Sequence, residues 1–355
     1  MKCIYGVCSW GLGHATRSLP VIRKLVSEQH ELTVISHDRA LGVLKKELKD
    51  SVRYVDIPDY PMLVSENTRQ FMAKSMVYWP VFIQKIEHGL QELQKILDKD
   101  SYQLIISDGR YDMYSKKIPS FFISHQMRIM NPLHMKLFEN TMERFNMFFF
   151  KRFKGVIIPD YKDDNISGDL SHNLRRIDED ALHYVGVLSD FTKKPHLKKN
   201  IDYLVSISGP EPQRSYLEEI LLSQVDGLKG NVVVTLGKTE KNLEIKKKEM
   251  TTYSFVTKEL REELLNRAKM AISRSGYSTI SDLAIVGTKA VLIPTPGQIE
   301  QEYLGAYHHS LGTFYSVQQH QVDLVKDVSS AQKTTGITRP CDVQKTVEEI
   351  MRIIT

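Results

Sequence analysis

The sequence predicts an α/β protein of two Rossmann-like, doubly wound domains facing a central cleft, and three observations predict it. Short apolar runs of strand length alternate with helix-length amphipathic stretches, the pattern of parallel strands covered by helices on both faces. The alternation stops at a polar, basic stretch, "LSDFTKKPHLKKN", and then begins again. A chain of 355 residues is long for one domain and natural for two, each able to bury its own core. The expected divisions are an N-terminal domain over 1–185, a linker over 186–200, a second domain over 201–340, and a closing helix over 341–355 that packs back on the first domain.

Each element has its own warrant. "KCIYGVC", "ELTVISH", "SVRYVDIP", "YQLIISD" and "IPSFFISH" carry few polar positions and read as strands of the first half. "ATRSLPVIRKLVSEQ" and "VFIQKIEHGLQELQKIL" repeat apolar residues at helical spacing between them. In the second half "YLVSIS", "NVVVTLG", "KMAISRS" and "KAVLIPT" are strands, with "SYLEEILLSQV" and "ELREELLNRA" as helices. "DVQKTVEEIMRII" places apolar residues on one helical face and makes the final helix.

Composition narrows the partners without choosing among them. A formal net charge of +5 suits nucleic acid, an anionic membrane surface or a phosphorylated substrate equally. The lysine clusters "KKPHLKK" and "EIKKKE" lack the interleaved aromatic residues of a nucleic-acid groove, so no nucleic acid is expected. Three cysteines build neither a disulfide framework nor a zinc site. Ser9, His14 and Arg17 interrupt any signal-peptide core, and no run reaches the roughly 18 to 20 apolar residues of a membrane span. The expectation is a cytoplasmic protein, soluble or peripheral to the inner face of the cell membrane.

In doubly wound sheets ligands lie beyond the carboxyl ends of the strands. That places the chemistry in the loops Gly11 to Arg17, Ser107 to Tyr111, Ser208 to Arg214 and Arg274 to Thr279. "SGPEPQRS" and "SRSGYSTISD" bring small residues to a helix start, where free N–H groups and the positive helix end favour phosphate. The second half is therefore the expected nucleotide-binding half. Gly11, Gly13 and Thr16, with Asp38 after the next strand, come near a dinucleotide fingerprint, yet His14 and Arg17 fill the turn and the third glycine is missing.

Two blocks carry a family resemblance. "GLGHATRS" resembles the opening of glycosyltransferases of the GT-B fold, in particular family 28, whose members include the lipid-linked N-acetylglucosamine transferase of peptidoglycan synthesis. "FVTKELREELLNRAKMAISRSGYSTISDLAIVGTKAVLIPTPGQIEQEYLGAYHHSLG" is similar to the donor-binding region of that family. The resemblance implies an inverting, metal-independent transferase that moves a sugar from a nucleotide-diphosphate sugar, with UDP-N-acetylglucosamine the candidate, to a glycan or lipid-linked hydroxyl. It needs no cofactor and no metal.

The same resemblance assigns roles. Ser275 and Gly276 would present N–H groups, and Ser275 its hydroxyl, to the departing diphosphate, with Arg274 adding charge. Asp282 matches the acidic ribose-binding position, although glutamate is more usual there. Gln298, Glu300 and Gln301 would bridge sugar hydroxyls, and Phe255 and Val256 would meet the base. "ISGPEPQRS" departs from the family's glycine-rich loop: Ser208 and Gly209 still allow close backbone approach to the phosphates, but Pro210 and Pro212 remove N–H donors, so Arg214 would meet a phosphate instead. His14 is the expected base that takes the acceptor's proton, and Asp108 the acid that orients it. Both also read structurally, His14 as a helix-start hydrogen bonder and Asp108 as a turn former before Gly109. Gly13, Arg17, His125 and Gln126 would line the acceptor site, with Arg17 on an acceptor phosphate.

Other readings stay open. "ISHQMRIMNPLHMKLFENTMERFNMFFFKRFKG" mixes methionine and phenylalanine with basic residues, which suits either an ordinary core or contact with an anionic membrane. Asp178 to Asp180 has a D-x-D spacing but lies in a polar stretch, and the adjacent His308 and His309 point apart on a helix, so neither is assigned a metal. A sugar-nucleotide 2-epimerase and a non-catalytic nucleotide-sugar-binding subunit share the expected fold.

Overall fold

The computed structural model describes residues 1–60, 68–130, 136–238, 243–247 and 249–355, without the side chains of 68–77, 136–138 and 247. The chain divides into two compact units, Met1–Asp190 with Asp342–Thr355, and Phe191–Cys341.

The first unit runs β1 (Lys2–Val7), α1 (Gly13–Ser27), β2 (Glu31–Ser36), α2 (Asp38–Leu48), β3 (Arg53–Asp56), α3 (Thr68–Leu97), β4 (Leu104–Asp108), β5 (Ser120–Ile123), α4 (Lys136–Phe150), β6 (Gly155–Ile158) and β7 (Leu182–Tyr184). Its strands are all parallel, in the order β3-β2-β1-β4-β5-β6-β7. Residues 3–7 of β1 and the whole of β4 and β5 are buried, as strands covered on both faces must be. The order reverses at β1 and β4, so the loops after these strands open side by side, joined where the Cys8 N–H donates to the Asp108 carbonyl at 2.9 Å.

The second unit runs β8 (Ile201–Ser206), α5 (Gln213–Leu222), β9 (Val232–Thr235), β10 (Glu244–Lys247), β11 (Met250–Tyr253), α6 (Lys258–Arg267), β12 (Ala268–Ser273), α7 (Tyr277–Val286), β13 (Lys289–Leu292), α8 (Ile299–Ser310), β14 (Tyr315–Ser316) and α9 (Leu324–Gln332). The sheet order is β10-β11-β9-β8-β12-β13-β14, parallel except for the antiparallel β10–β11 pair. Its reversal at β8 and β12 brings the loops after those two strands together. Thr257 caps α6 by accepting from the Leu260 N–H, and α7 ends on Gly287 in the left-handed conformation, φ 74°.

The last helix, α10 (Val343–Ile354), starts at Asp342, whose carboxylate accepts from the Gln344 and Lys345 N–H groups. Val347, Ile350, Met351 and Ile354 share one buried cluster with Leu19, Ile22 and Leu25 of α1, so this helix is part of the first unit's core. Residues 186–200 contain neither helix nor strand, but they do not float. The N–H and hydroxyl of Thr192 both donate to Glu262 at 2.7 Å, and the Lys194 N–H donates to Asn266 at 2.7 Å, which ties this stretch to α6.

Two stretches to which the sequence reading assigned no element are regular elements. "EIKKKE" contributes β10, whose Leu243 and Ile245 neighbourhood is exposed because an edge strand has no sheet neighbour on its outer side. The methionine- and phenylalanine-rich stretch contains α4, which buries Glu143, Asn146, Phe149 and Phe150; residues 131–135 of that stretch lie outside the described residues. Asp178 of the D-x-D caps a short turn by accepting from the Asp180 N–H, and Asp180 pairs with Lys162 at the surface.

Candidate active site

Each unit carries one half of the expected chemistry. In the first, α1 starts at Gly13, so His14, Arg17 and Ser18 fall at i, i+3 and i+4 on one helical face. That face looks onto Asp108, the last residue of β4. His14 Nδ1 lies 2.7 Å from Asp108 Oδ1, and the Ser18 hydroxyl donates to Oδ2 at 2.8 Å. Arg17 donates from Nε to Oδ2 at 2.9 Å and from Nη2 to Oδ1. Asp108 is completely buried. Burial alone would raise its carboxyl, but the Arg17 guanidinium and the His14 imidazole outweigh that and hold it well below the usual carboxylate range.

This geometry fixes the imidazole. His14 Nδ1 faces both Asp108 Oδ1 and the Arg17 Nη2 donor, 2.9 Å away, so it donates to the carboxylate in one tautomer and accepts from the guanidinium in the other; in both, Nδ1 anchors the ring. The ring also has a backstop. Gly109 has φ +74°, and a Cβ on it would meet His14 Cε1 at 2.8 Å and Nδ1 at 3.1 Å. Tyr60 secures that turn by donating its hydroxyl to the Gly109 carbonyl. The loop before α1 is pinned from the other side, where the Ser9 N–H donates to Asp59 at 2.6 Å and Trp10 Nε1 to the Tyr60 carbonyl at 2.6 Å. His14 itself remains partly open, its side chain 19% exposed.

The remaining acceptor candidates fall into place unequally. Arg17 is 3% exposed and its Nη1 donates to His125 Nδ1 at 2.7 Å, so it is an internal counter-ion rather than a group open to an acceptor phosphate. His125 is buried after β5, its ring 6.4 Å from that of His14, and Gln126 is half-buried beside it. Ser18 and Gly109 were not singled out from sequence; Ser18 lies inside the quoted "GLGHATRS", one helical turn from His14, and that spacing was the available signal. Near this turn Trp10, Tyr60, Trp79, Phe82, Tyr111 and Phe145 form an aromatic cluster, and Arg152 stacks 4.0 Å over the ring of the exposed Phe148.

In the second unit the loops after β8, β12 and β13 converge on Arg274. Its guanidinium, 2% exposed, donates to the carbonyls of Ser208 at 3.2 Å, Gln213 at 2.9 Å, Ile293 at 3.3 Å and Pro294 at 3.2 Å. No carboxylate pairs with it among the described residues, and burial pulls it down to about 10. Arg274 is thus a clamp beneath the loops rather than a side chain reaching out of them. Above it, Ser208 and Gly209 are exposed, with Gly209 at φ +122°.

Ser275 is fully buried and donates its hydroxyl to the Gln301 carbonyl at 2.7 Å, so its side chain serves the fold, contrary to the expected phosphate contact. Gly276 stands at the start of α7, half-exposed, and the Tyr277 N–H that follows donates to Glu300 at 3.0 Å. Gln301 accepts from the Thr295 N–H at 2.9 Å and donates to the Gln298 side chain. Glu302, not singled out from sequence, accepts from the Gly297 N–H at 2.9 Å in the same turn. Asp282 lies a turn and a half along α7, 3.5 Å from Arg261. Phe255 and Val256 are half-buried between β11 and α6. Arg214 departs from expectation, since Glu218 at 2.6 Å and Glu211 neutralise it.

Comparison with known proteins finds matches in both units. Residues 1–131 match a glycosyl transferase family 1 profile, and residues 216–334 match the glycosyltransferase family 28 C-terminal domain. An uncharacterized glycosyltransferase of Methanosarcina mazei is 25% identical over 170 residues, 45% of this chain and 44% of that protein. The UDP-N-acetylglucosamine–N-acetylmuramyl-(pentapeptide) pyrophosphoryl-undecaprenol N-acetylglucosamine transferase of Histophilus somni is 35% identical over 97 residues, 24% of this chain and 27% of that protein. The chain thus spans less than half the length of these curated relatives. Among solved structures, the calicheamicin glycosyltransferase superposes with a TM-score of 0.66 at 12% identity, covering 99% of this chain and 92% of that one. MurG of Acinetobacter baumannii superposes with a TM-score of 0.56 at 14% identity, covering 99% and 100%. Residues 1–131 thus match a glycosyl transferase family 1 domain, residues 216–334 match a glycosyltransferase family 28 C-terminal domain, and the fold is that of the GT-B glycosyltransferases.

Proposed function

We propose that this protein transfers a sugar from a nucleoside-diphosphate sugar to a hydroxyl acceptor, with inversion at the anomeric carbon and without a metal. The observation that carries the reading is the 2.7 Å contact between His14 Nδ1 and Asp108, which orients the ring and, in the tautomer with the proton on Nδ1, leaves Nε2 to take a proton. An acceptor hydroxyl is a poor nucleophile near neutral pH, and an imidazole oriented by a buried carboxylate is suited to remove its proton as the new bond forms. The oxygen attacks the anomeric carbon, the bond to the diphosphate breaks, the proton passes to Nε2, and Asp108 stabilises the imidazolium. The leaving diphosphate is received by the α7 start and the Ser208–Gly209 turn. Phe255 and Val256 flank the base, Asp282 takes the ribose, and Gln298, Glu300 and Gln301 take the sugar.

The Histophilus somni relative, named for a UDP-N-acetylglucosamine donor, makes that sugar nucleotide the first to test. The spinosyn rhamnosyltransferase, solved with thymidine diphosphate at a TM-score of 0.63, makes dTDP sugars the second. A lipid-linked or glycan acceptor fits the aromatic cluster beside His14. The exposed Trp79 and Phe148 with Arg152 suit contact with an anionic membrane, and among the described residues no helix is long and apolar enough to cross one. Thermal-shift titration tests the donor: protection by UDP or dTDP and their sugars with none by NAD is expected, and protection by NAD alone overturns the reading. Release of the nucleoside diphosphate only when an acceptor is added separates a transferase from an epimerase or a binding subunit.

A further inference from the structure

Helix α7 begins without a side-chain cap. Gly276 has no side chain to offer, and the first N–H of the helix, that of Tyr277, donates instead to Oε1 of Glu300, 3.0 Å away on the first turn of α8. The half-buried Glu300 carboxyl thus sits at the positive end of a ten-residue helix. Two further observations in the adjoining loops mark a cation without a carboxylate partner and a polar group without a hydrogen bond, both among the described residues. The Arg274 guanidinium is buried with only carbonyl oxygens as acceptors. The Thr295 hydroxyl, 1% exposed, makes no hydrogen bond among the described residues and lies 3.7 Å from where a Cβ on Gly209 would stand. Its own N–H is bound by the Gln301 side chain, so this unsatisfied hydroxyl belongs to the same turn as Glu300.

We propose that Glu300 is a placeholder for the donor's diphosphate: it occupies the α7 start in the empty protein and gives up the Tyr277 N–H when phosphoryl oxygens arrive. The proposal rests on the donor site described above. A carboxylate and a phosphate offer the same charge and the same acceptor chemistry, and one N–H group cannot serve both while their charges repel at short range. Displacement frees the carboxylate in the turn that holds Gln298 and Gln301, where it can accept from hydroxyls of the sugar. Arrival of the diphosphate and completion of the sugar subsite are then one event. A nucleoside diphosphate without its sugar bears the cost of displacement and gains no hydroxyl contact in return.

Isothermal titration of the full chain and of Glu300→Gln with UDP, dTDP, UDP-N-acetylglucosamine and uridine tests this. The glutamine keeps an acceptor oxygen for the Tyr277 N–H but has no charge. UDP, or dTDP if that is the base preferred, is expected to bind the variant about two- to five-fold more tightly, the value of one charge at a helix terminus. Uridine should bind both proteins alike, and UDP-N-acetylglucosamine should gain less than UDP. Glu300→Ala, which removes charge and acceptor together, should shift UDP in the same direction. Equal or weaker diphosphate binding by both variants, with native-like melting, overturns the placeholder. If neither diphosphate binds any of the proteins at millimolar concentration, the donor site itself is wrong and the placeholder falls with it.

Discussion

Asp108 holds three side chains of α1 with one carboxylate, so its substitutions should separate catalysis from stability. His14→Ala removes the proposed base and leaves Asp108 held by the Arg17 guanidinium and the Ser18 hydroxyl; turnover should fall about 10²- to 10⁴-fold with nucleotide affinity nearly unchanged, read by initial rates and calorimetry. Asp108→Asn leaves the Arg17 guanidinium buried and uncompensated, and should cost about 3–5 kcal/mol in chemical denaturation as well as activity. Because the folded carboxyl titrates below its unfolded value, its contribution is present above about pH 4 and is lost as pH falls through the lower folded value. The acid limb of a stability profile should therefore flatten in Asp108→Asn. Gly109→Ala should lower activity more than stability, since a Cβ there pushes on the imidazole edge. His14 and Asp108 were legible in the sequence because loops after parallel strands collect chemistry. The burial of Arg17 was not, because it is decided by the residues of β4 and β5 that pack around it, more than ninety positions away.

At the scale of elements, the strands were the most legible parts, since a run such as "LIISD" can satisfy its burial in few other ways. Edge strand β10 and helix α4 were not, because a charged edge strand shares its pattern with solvent-facing segments and a mixed aromatic-basic helix suits a core and a membrane surface alike. The donor half shows a subtler limit. Sequence identifies "SRSG" as a strand-to-helix turn, but only packing shows that Ser275 and Arg274 point inward and hold three loops in place. Arg274→Lys keeps the charge and cannot span four carbonyl groups. It is expected to lower the melting temperature and to weaken UDP binding about tenfold or more, while uridine binding falls less; equal loss for both ligands would mean that the residue supports the fold alone.

For the whole molecule, the two units have separate cores and separate proposed duties. Nucleotide protection should therefore be local: hydrogen exchange with saturating UDP is expected to slow at 208–214, 255–256, 274–282 and 298–301, while the 9–18 and 107–110 loops respond only when acceptor is added. At about one hundred times the dissociation constant the ligand stabilises the state it binds by about 2.7 kcal/mol, enough to move the second unit's transition measurably in a calorimetric scan. Protection spread evenly over both units would contradict the division of labour.

Helix α10 gives the chain an unusual accounting of what belongs to what. Since residues 342–355 complete the apolar face of α1, the polypeptide leaves the first unit at Asp190 and comes home after Cys341. Residues 191–341 are topologically an insertion into the first unit, and a chain ended at Asp190 would leave Leu19, Ile22 and Leu25 without the cover that α10 gives them. Ile350→Ala, at the centre of that seam, should lower the stability of the His14-bearing half by about 2–5 kcal/mol without touching a residue of either half-site.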